Sequence, residues 1–190
     1  MTVVQKKEFP QPPVDRREIL RYAMCREDED TEKLLDRCLQ AALPVISYRV
    51  CFVEVPVTVM GSICDFGNFQ LHSRRLAKHL TGCGKAVIFA ATLGLEMDRL
   101  IGKCSRLSPA MGLVMQAVGT ERIEALCDAF CAEFENARPR FSPGYGDLKL
   151  AAQQVIFEQL DCPRQIGLTL NDSLIMSPGK SVTAIVGLPE

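Results

Sequence analysis

The residues best suited to chemistry lie in one short stretch, ARPRFSPGYGD, between two segments with helical patterns. Pro139, Pro143 and Gly144 restrict its backbone, and Arg140 and Tyr145 stand close together in it. A guanidinium is a planar donor fork that suits a carboxylate, while a phenol supplies a ring face and a hydroxyl. The stretch predicts a rigid loop that clamps a small ligand. The alternative interpretation is a helix-end arginine followed by a packed tyrosine.

A second polar stretch interrupts the C-terminal apolar sequence GLTLNDSLIMSPGKSVTAIVG. Asn171, Asp172, Ser173 and Ser177 are typical turn residues, so turn formation explains most of this pattern. Lys180 follows them, but a single lysine identifies no reaction.

The cysteines and histidines predict neither a metal site nor a catalytic centre. The chain has nine cysteines but no CxxC pair, and Cys127 and Cys131, four residues apart, lack the second pair that a soft-metal site needs. We therefore expect reduced thiols without a bound metal or a structural disulfide. Neither His72 nor His79 has a cysteine, carboxylate or histidine at ligand or triad spacing, so both are interpreted as surface or boundary histidines.

Length and composition favour one globular domain. The 190 residues are 47% hydrophobic and 24% charged, which is ordinary for a folded domain. Residues 1–13 contain three prolines and are predicted to form an extended arm, with a single domain over residues 14–190. The 22 basic and 23 acidic residues leave no excess for nucleic acid, and the absence of a long apolar run predicts a cytoplasmic protein without a membrane span.

The pattern of elements predicts an α+β fold, in which a mixed or antiparallel sheet packs against several helices. Asp15 and Glu18 have the spacing of a capping box, and Pro56 indicates an edge or a bulge within a strand. The expected helices are residues 15–24, a helix whose start is the acidic run at 26–32, and residues 73–82, 95–107, 109–136 and 148–161. The expected strands are residues 46–59, 85–94, 166–170 and 181–188.

Two stretches, RFSPGYGDLKL and IGLTLNDSLIMSPGKSVTAIVGL, resemble the activation domain of cobalamin-dependent methionine synthase. Members of that family carry an arginine, a Pro-Gly-Tyr and a late Met-x-Pro-x-x-Ser-Val. The matching residues here are Arg140, Pro143, Gly144, Tyr145, Met176, Pro178, Ser181 and Val182. The resemblance runs from about Arg140 to Leu188 and is weakest over the first 45 residues.

The resemblance implies that the domain binds S-adenosylmethionine and supports the reductive methylation of cob(II)alamin to methylcobalamin. It implies ligand contacts from Arg140, Phe141 and Tyr145. It also implies acidic contacts from Asp128, where the family usually has glutamate, and from Glu124 one turn earlier. No side chain need act as an acid or a base, because holding the methyl donor in line with cobalt is the domain's contribution.

The same resemblance implies two partners. The chain contains no DxHxxG motif, so the cobalamin must be carried by a separate methionine synthase chain. A flavodoxin- or ferredoxin-like protein would supply one electron. Two alternatives remain open from the sequence: a non-catalytic scaffold of a corrinoid methyltransferase, and a reactivator of another corrinoid protein.

Overall fold

A four-stranded antiparallel sheet with helices on both faces forms the centre of the molecule in a computed structural model, which describes residues 3–189. The strands are β1 (Gln5–Glu8), β2 (Arg49–Pro56), β3 (Thr58–Met60), β4 (Ile63–Asp65), β5 (Gln70–His72), β6 (Cys83–Thr92), β7 (Thr169–Leu170), β8 (Met176–Ser177) and β9 (Ser181–Pro189). The helices are α1 (Arg16–Ala23), α2 (Glu29–Ala42), α3 (Arg74–Leu80), α4 (Leu95–Leu107), α5 (Pro109–Cys131), α6 (Ala152–Leu160) and α7 (Cys162–Ile166), with a 3-10 turn at Leu43–Val45. The predicted α+β class is confirmed.

The main sheet has the strand order β1-β2-β6-β9, and every neighbouring pair is antiparallel. Strand β6 is internal and almost wholly buried, which confirms the fully buried strand expected from its continuous apolar run. Strand β1 pairs only with residues 49–52 of β2, so Pro56 lies where β2 has β6 alone as its neighbour. A proline is tolerated at such a local edge because no ladder partner is lost there.

The two faces of this sheet bury separate apolar cores. Because side chains alternate along a strand, Val87 and Phe89 of β6 face one core while Ala86 and Ile88 face the other. Helices α1, α2, α4 and α5 cover the first face. Helices α3, α6 and α7, together with the small sheet β3-β4-β5, cover the second. Long helix α5 therefore lies on the opposite side of the sheet from α3 and α6.

Side-chain caps begin four helices, and the cap of α2 is Asp28, which lies in the acidic run and accepts the amide of Thr31. Asp15 accepts the amide of Glu18 at the start of α1, and Ser73 accepts the amide of Leu76 at the start of α3. Ser108 caps α5 immediately before a proline. Helix α5 ends at Cys131, five residues earlier than expected, and the following turns bring the chain to Asn136 in a left-handed conformation (φ 55°).

Other segments differ from the sequence-based expectation. Helix α6 begins at Ala152 rather than at residue 148, and Asp161 (φ 46°) separates it from a further helix, α7, whose first turn contains Pro163. The strand expected at 166–170 is reduced to two residues, which pair with β8. Strands β4 and β5 lie where no strand was expected.

The proline-rich segment before α1 is held by a buried ion pair on α5. Arg122 is fully buried and donates to the carboxylate of Glu121 and to the carbonyls of Pro12 (2.7 Å) and Pro13 (2.6 Å). The second oxygen of Glu121 accepts the amide of Asp15 at 3.0 Å. These contacts fix the start of α1 against α5. Within residues 3–189, no helix is both long and apolar enough to cross a membrane.

Candidate functional site

The segment that carries Arg140 runs along the outer edge of β9. The amide of Arg138 donates to the carbonyl of Gly187 at 2.8 Å, and Phe141 and Ile185 exchange two backbone hydrogen bonds of 2.8 and 2.9 Å. The segment therefore acts as a short additional strand, and its side chains alternate between the sheet faces. Phe141 joins the core that contains Ile185, while Arg140 points to the face covered by α5.

Arg140 meets the two predicted acidic residues on α5. Its guanidinium donates to the carboxylates of Glu124 and Asp128, which are four residues apart and therefore share one helix face. The Arg140 side chain is 23% exposed, against 38% for Glu124 and 72% for Asp128. Burial opposes the charged guanidinium, but the hydrogen bond to Asp128 and both carboxylate charges raise the pKa of Arg140. The cluster therefore joins one guanidinium to two carboxylates.

A groove runs over α5 beside this cluster. Its floor contains Ala125 and Ala129, and its volume is about 590 Å³. Helix α1 forms the far wall with Glu18 and Tyr22. The remaining lining residues are Pro12, Pro13, Asp15, Glu121, Glu124, Asp128 and Ala132. Grooves of this size accommodate small ligands, and the excess of carboxylates here favours a ligand with a positive charge.

A second hollow of about 690 Å³ adjoins the groove, because Asp128 and Ala132 line both. Cys131, Phe134 and Arg140 form part of its wall. Burial raises the pKa of the Cys131 thiol, although the neighbouring Arg140 guanidinium opposes the shift. Cys131 is therefore a neutral, half-buried thiol at neutral pH rather than a nucleophile.

Tyr145 lies at the tip of a tight loop that follows Arg140. Gly144 (φ 86°) allows the sharp turn, and its amide donates to the carbonyl of Leu148 at 2.8 Å. The Tyr145 ring is 65% exposed and meets the Phe141 ring edge to face, with centroids 5.5 Å apart. The buried Phe141 thus supports Tyr145 from behind. The phenol remains accessible to a ligand or a partner.

Asp147 ties this loop to α3. Its carboxylate accepts from the hydroxyl of Ser73 (2.5 Å) and from the amides of Arg74 (2.8 Å) and Arg75 (3.1 Å). These hydrogen bonds, that from Ser73 first, lower the pKa of Asp147 to about 2. The sequence gives no sign of this role, because Asp147 and α3 are more than 70 residues apart.

The two histidines are not equivalent in the fold. His79 is half-buried and lies 2.6 Å through Nε2 from the carbonyl of Pro139, so Nε2 carries the proton and donates it. It thereby helps to position the backbone next to Arg140. His72 is exposed on β5.

The late motif joins β9 to three other elements. The Ser181 hydroxyl lies 2.8 Å from that of Thr92 at the end of β6, and the amide of Gly179 donates to Asp98 of α4 at 2.6 Å. Lys180 donates to Thr120 of α5 at 2.8 Å, and burial lowers its pKa against the opposing charge of Asp98. The motif thus anchors the strand along which Arg140 lies.

The structure therefore gathers Arg140, Glu124 and Asp128 into one cluster on the α5 face. It places Phe141 and Tyr145 together, with the Phe141 ring in the opposite core. The sequence did not indicate Glu18 and Tyr22, because their place in the groove depends on how α1 packs against α5. Among residues 3–189, no group of three or more histidine, cysteine, aspartate or glutamate side chains is arranged to hold a metal ion.

Comparison with known proteins identifies the fold. No family model and no curated protein matches the sequence. Among solved structures, the chain is similar to the MetH reactivation domain bound to AdoHcy, with a TM-score of 0.72 and 17% sequence identity. The match covers 97% of this chain and 78% of that one. The fold expected from the two motifs is confirmed: this chain has the fold of the MetH reactivation domain.

Proposed function

We propose, from this shared fold and the Arg140 cluster, that the chain binds S-adenosylmethionine and reactivates a cobalamin-dependent methionine synthase. The observation that carries the proposal is the meeting of Arg140 with Glu124 and Asp128 at the rim of an acidic groove. S-adenosylmethionine carries both a carboxylate and a sulfonium cation. In the cluster, the guanidinium is complementary to the ligand's carboxylate, and the two carboxylates are complementary to its sulfonium.

In this proposal Arg140 orients the methionine carboxylate of the ligand. Its two terminal nitrogens already donate to Glu124 and Asp128, so the carboxylates hold the guanidinium in place before the ligand arrives. Such preorganisation reduces the entropy lost on binding. The ligand carboxylate shares the remaining donors or displaces the more exposed Asp128.

Glu124, Asp128 and the Tyr145 ring supply the environment of the sulfonium. A cation is stabilised by nearby carboxylates and by an aromatic face within about 6 Å of the ring centroid. Phe141 contributes from behind by supporting Tyr145, as its edge-to-face contact indicates. No acid or base is needed, since methyl transfer from a sulfonium requires no proton.

The corrin is carried by a partner chain and supplies the cobalt that accepts the methyl group. The overall step is balanced by one electron: cob(II)alamin, one electron and S-adenosylmethionine give methylcobalamin and S-adenosylhomocysteine. A flavodoxin- or ferredoxin-like protein supplies that electron in the cytoplasm. This chain contributes binding and orientation, which in the best aligned reactions are worth roughly 7 to 11 kcal/mol.

Calorimetry with S-adenosylmethionine tests the proposal first. We expect one site per chain and weaker binding of S-adenosylhomocysteine, because the latter lacks the sulfonium charge that Glu124 and Asp128 attract. Absence of heat with both ligands, in a chain shown to be folded by circular dichroism, would favour the scaffold alternative.

Reconstitution tests the reaction. The chain is mixed with a corrinoid methionine synthase that lacks its own activation domain, S-adenosylmethionine and a low-potential donor, and the visible spectrum of the corrin is followed. We expect conversion of cob(II)alamin to methylcobalamin only when all components are present. Binding without acceleration would direct attention to another corrinoid protein as the partner.

A further inference from the structure

Lys180 lies in a different environment from every other lysine of the chain. The sequence has eight lysines, and the seven others are all exposed in the structure. Lys180 is half-buried immediately before β9, and its backbone carbonyl accepts the amide of Leu93 at 3.0 Å. The main sheet therefore fixes where this side chain begins.

The side chain of Lys180 crosses α5 at Gly119. A Cβ at that glycine would lie 2.9 Å from Cε of the lysine and 3.1 Å from its Cγ and Cδ. Carbon atoms in van der Waals contact are about 3.5 to 4.0 Å apart, so the close approach requires a glycine. Glycine is otherwise among the poorest residues for the interior of a helix. The lysine is therefore held against the helix by a residue that the helix itself disfavours.

The ammonium at the end of this side chain lies against an uncharged group. It donates to the hydroxyl oxygen of Thr120 at 2.8 Å, and that hydroxyl uses its own proton on the carbonyl of Gln116 at 3.0 Å. Lys180, Gly119 and Thr120 are together called the Lys180 site. Within residues 3–189, Lys180 forms no ion pair, although exposed lysines such as Lys33 do.

The charged groups near the Lys180 site are two carboxylates that have other partners. Asp98 of α4 faces the ammonium and accepts the amide of Gly179 at 2.6 Å. Glu124, one turn beyond Thr120 on α5, is paired with Arg140. Burial lowers the pKa of Lys180, and the charge of Asp98 opposes this shift only in part.

A half-buried lysine of this kind is a better nucleophile at neutral pH than an exposed one. Only the neutral amine has a free electron pair, and an exposed lysine, with a pKa of about 10.4, is almost entirely protonated near pH 7. Desolvation is one of the ways in which proteins activate a lysine amine. The proposed function makes no use of this amine.

We propose that Lys180 is an acylation site that takes its acyl group from a small acyl phosphate. The electron pair of the neutral amine attacks the carbonyl carbon, a C–N bond forms, the C–O bond to the phosphate breaks, and inorganic phosphate leaves. The nitrogen releases one proton to solvent, and the step needs no oxidant or reductant. The donor is small because the amine is half-buried between a strand and a helix. The product is a neutral amide, so the charged donor that joins β9 to Thr120 of α5 is lost.

The experiment treats the intact chain with acetyl phosphate at about pH 7.5 and follows each lysine by peptide mass spectrometry. No S-adenosylmethionine or partner is present, so the outcome does not depend on the proposed function. Lys180 should be acetylated at least about threefold faster than the exposed Lys78 and Lys103. At about pH 10 the preference should disappear, because exposed amines then also lose their protons. Acetyl-CoA at the same concentration should react more slowly at Lys180.

Two glycine variants test whether the Lys180 site causes the preference. In Gly119→Ala the added methyl displaces the flexible lysine side chain toward solvent, while alanine itself favours the helix. Lys180 should then react at the rate of Lys103. Gly102→Ala is the matched control, because a Cβ at this glycine of α4 meets no atom within 4 Å, and it should keep the preference. Circular dichroism confirms that both variants fold.

Several results would overturn the acylation site. Lys180 would lose its assignment if wild-type protein acetylated it no faster than exposed lysines at about pH 7.5, or if the preference persisted at about pH 10. A preference that survives in Gly119→Ala, or is lost equally in Gly102→Ala, would show that the contact with Gly119 does not produce it. Faster acetylation of Lys180 by acetyl-CoA than by acetyl phosphate would refute the choice of donor.

Discussion

Replacing Arg140 by alanine separates ligand recognition from structural support. A hydrogen bond to a charged group contributes about 1.5 to 3 kcal/mol. In this structure the guanidinium already donates to Glu124 and Asp128. The free energy gained on binding is therefore only the difference between hydrogen bonds to the ligand carboxylate and hydrogen bonds to these two side chains. We therefore expect the lower part of that range, about 1.5 to 2 kcal/mol, or roughly a 10- to 30-fold weaker affinity for S-adenosylmethionine.

The structural cost of the same change should be small. Asp128 is 72% exposed and Glu124 is 38% exposed, so water solvates both carboxylates once Arg140 is removed. Partly exposed ion pairs of this kind contribute up to about 1 kcal/mol each. Urea denaturation followed by circular dichroism should show a loss of about 1 kcal/mol with an unchanged slope. The variant therefore remains folded at the temperature of the binding experiment.

The assay compares two ligands by calorimetry. Decarboxylated S-adenosylmethionine keeps the sulfonium but lacks the group that Arg140 is proposed to bind. Wild-type protein should prefer the intact ligand, and Arg140→Ala should remove most of that preference. Arg140→Lys keeps the charge without the planar fork and should recover only part of it. A folded Arg140→Ala protein that retains full preference for the carboxylate would refute the assignment of Arg140.

Three further outcomes test other parts of the structure. Arg122→Met should cost about 3 to 5 kcal/mol in urea denaturation, because it leaves Glu121 buried without its partner; a loss below about 1 kcal/mol would contradict the buried pair. The pKa of Asp147 is about 2 when folded, below its unfolded value, so its stabilising contribution is complete above about pH 4 and is lost as pH falls toward 2. Asp147→Asn should therefore be less stable than wild type at pH 7, with the difference shrinking over this window; a difference independent of pH would contradict the assignment. Thiol titration of the unfolded protein should find nine free thiols, and metal analysis should find less than 0.1 equivalent of zinc or iron; one equivalent per chain would overturn the expectation of a metal-free protein.

Local sequence was enough to predict those helices in which the capping residue and the apolar periodicity lie within a few residues of each other. Asp15, Ser73 and Ser108 each cap a helix that begins at the next residue. The unbroken apolar run in β6 likewise predicted a strand buried on both faces. Such signals are readable because each depends on contacts within one or two turns of the chain.

Features that depend on residues far apart in the chain were not predicted from the sequence. Residues 5–8 are polar and exposed, and they form a strand only because β2, more than 40 residues away, offers a free edge. The sequence likewise gave no reason to expect a buried arginine at position 122. Its burial depends on the carbonyls of Pro12 and Pro13, 110 and 109 residues away.

The candidate site shows most clearly which features local sequence determined and which features only the tertiary structure decided. The sequence alone determined that a restrained loop carries Arg140 and Tyr145, and that Glu124 and Asp128 share one face of a helix. Only the tertiary structure decided that Arg140 meets those carboxylates while the Phe141 ring turns to the opposite core. The reason is physical: pairing of residues 138 and 141 with β9 sets the strand register, and alternation in that register assigns each side chain to a face. Register depends on hydrogen bonds between segments more than 40 residues apart, which local sequence does not encode.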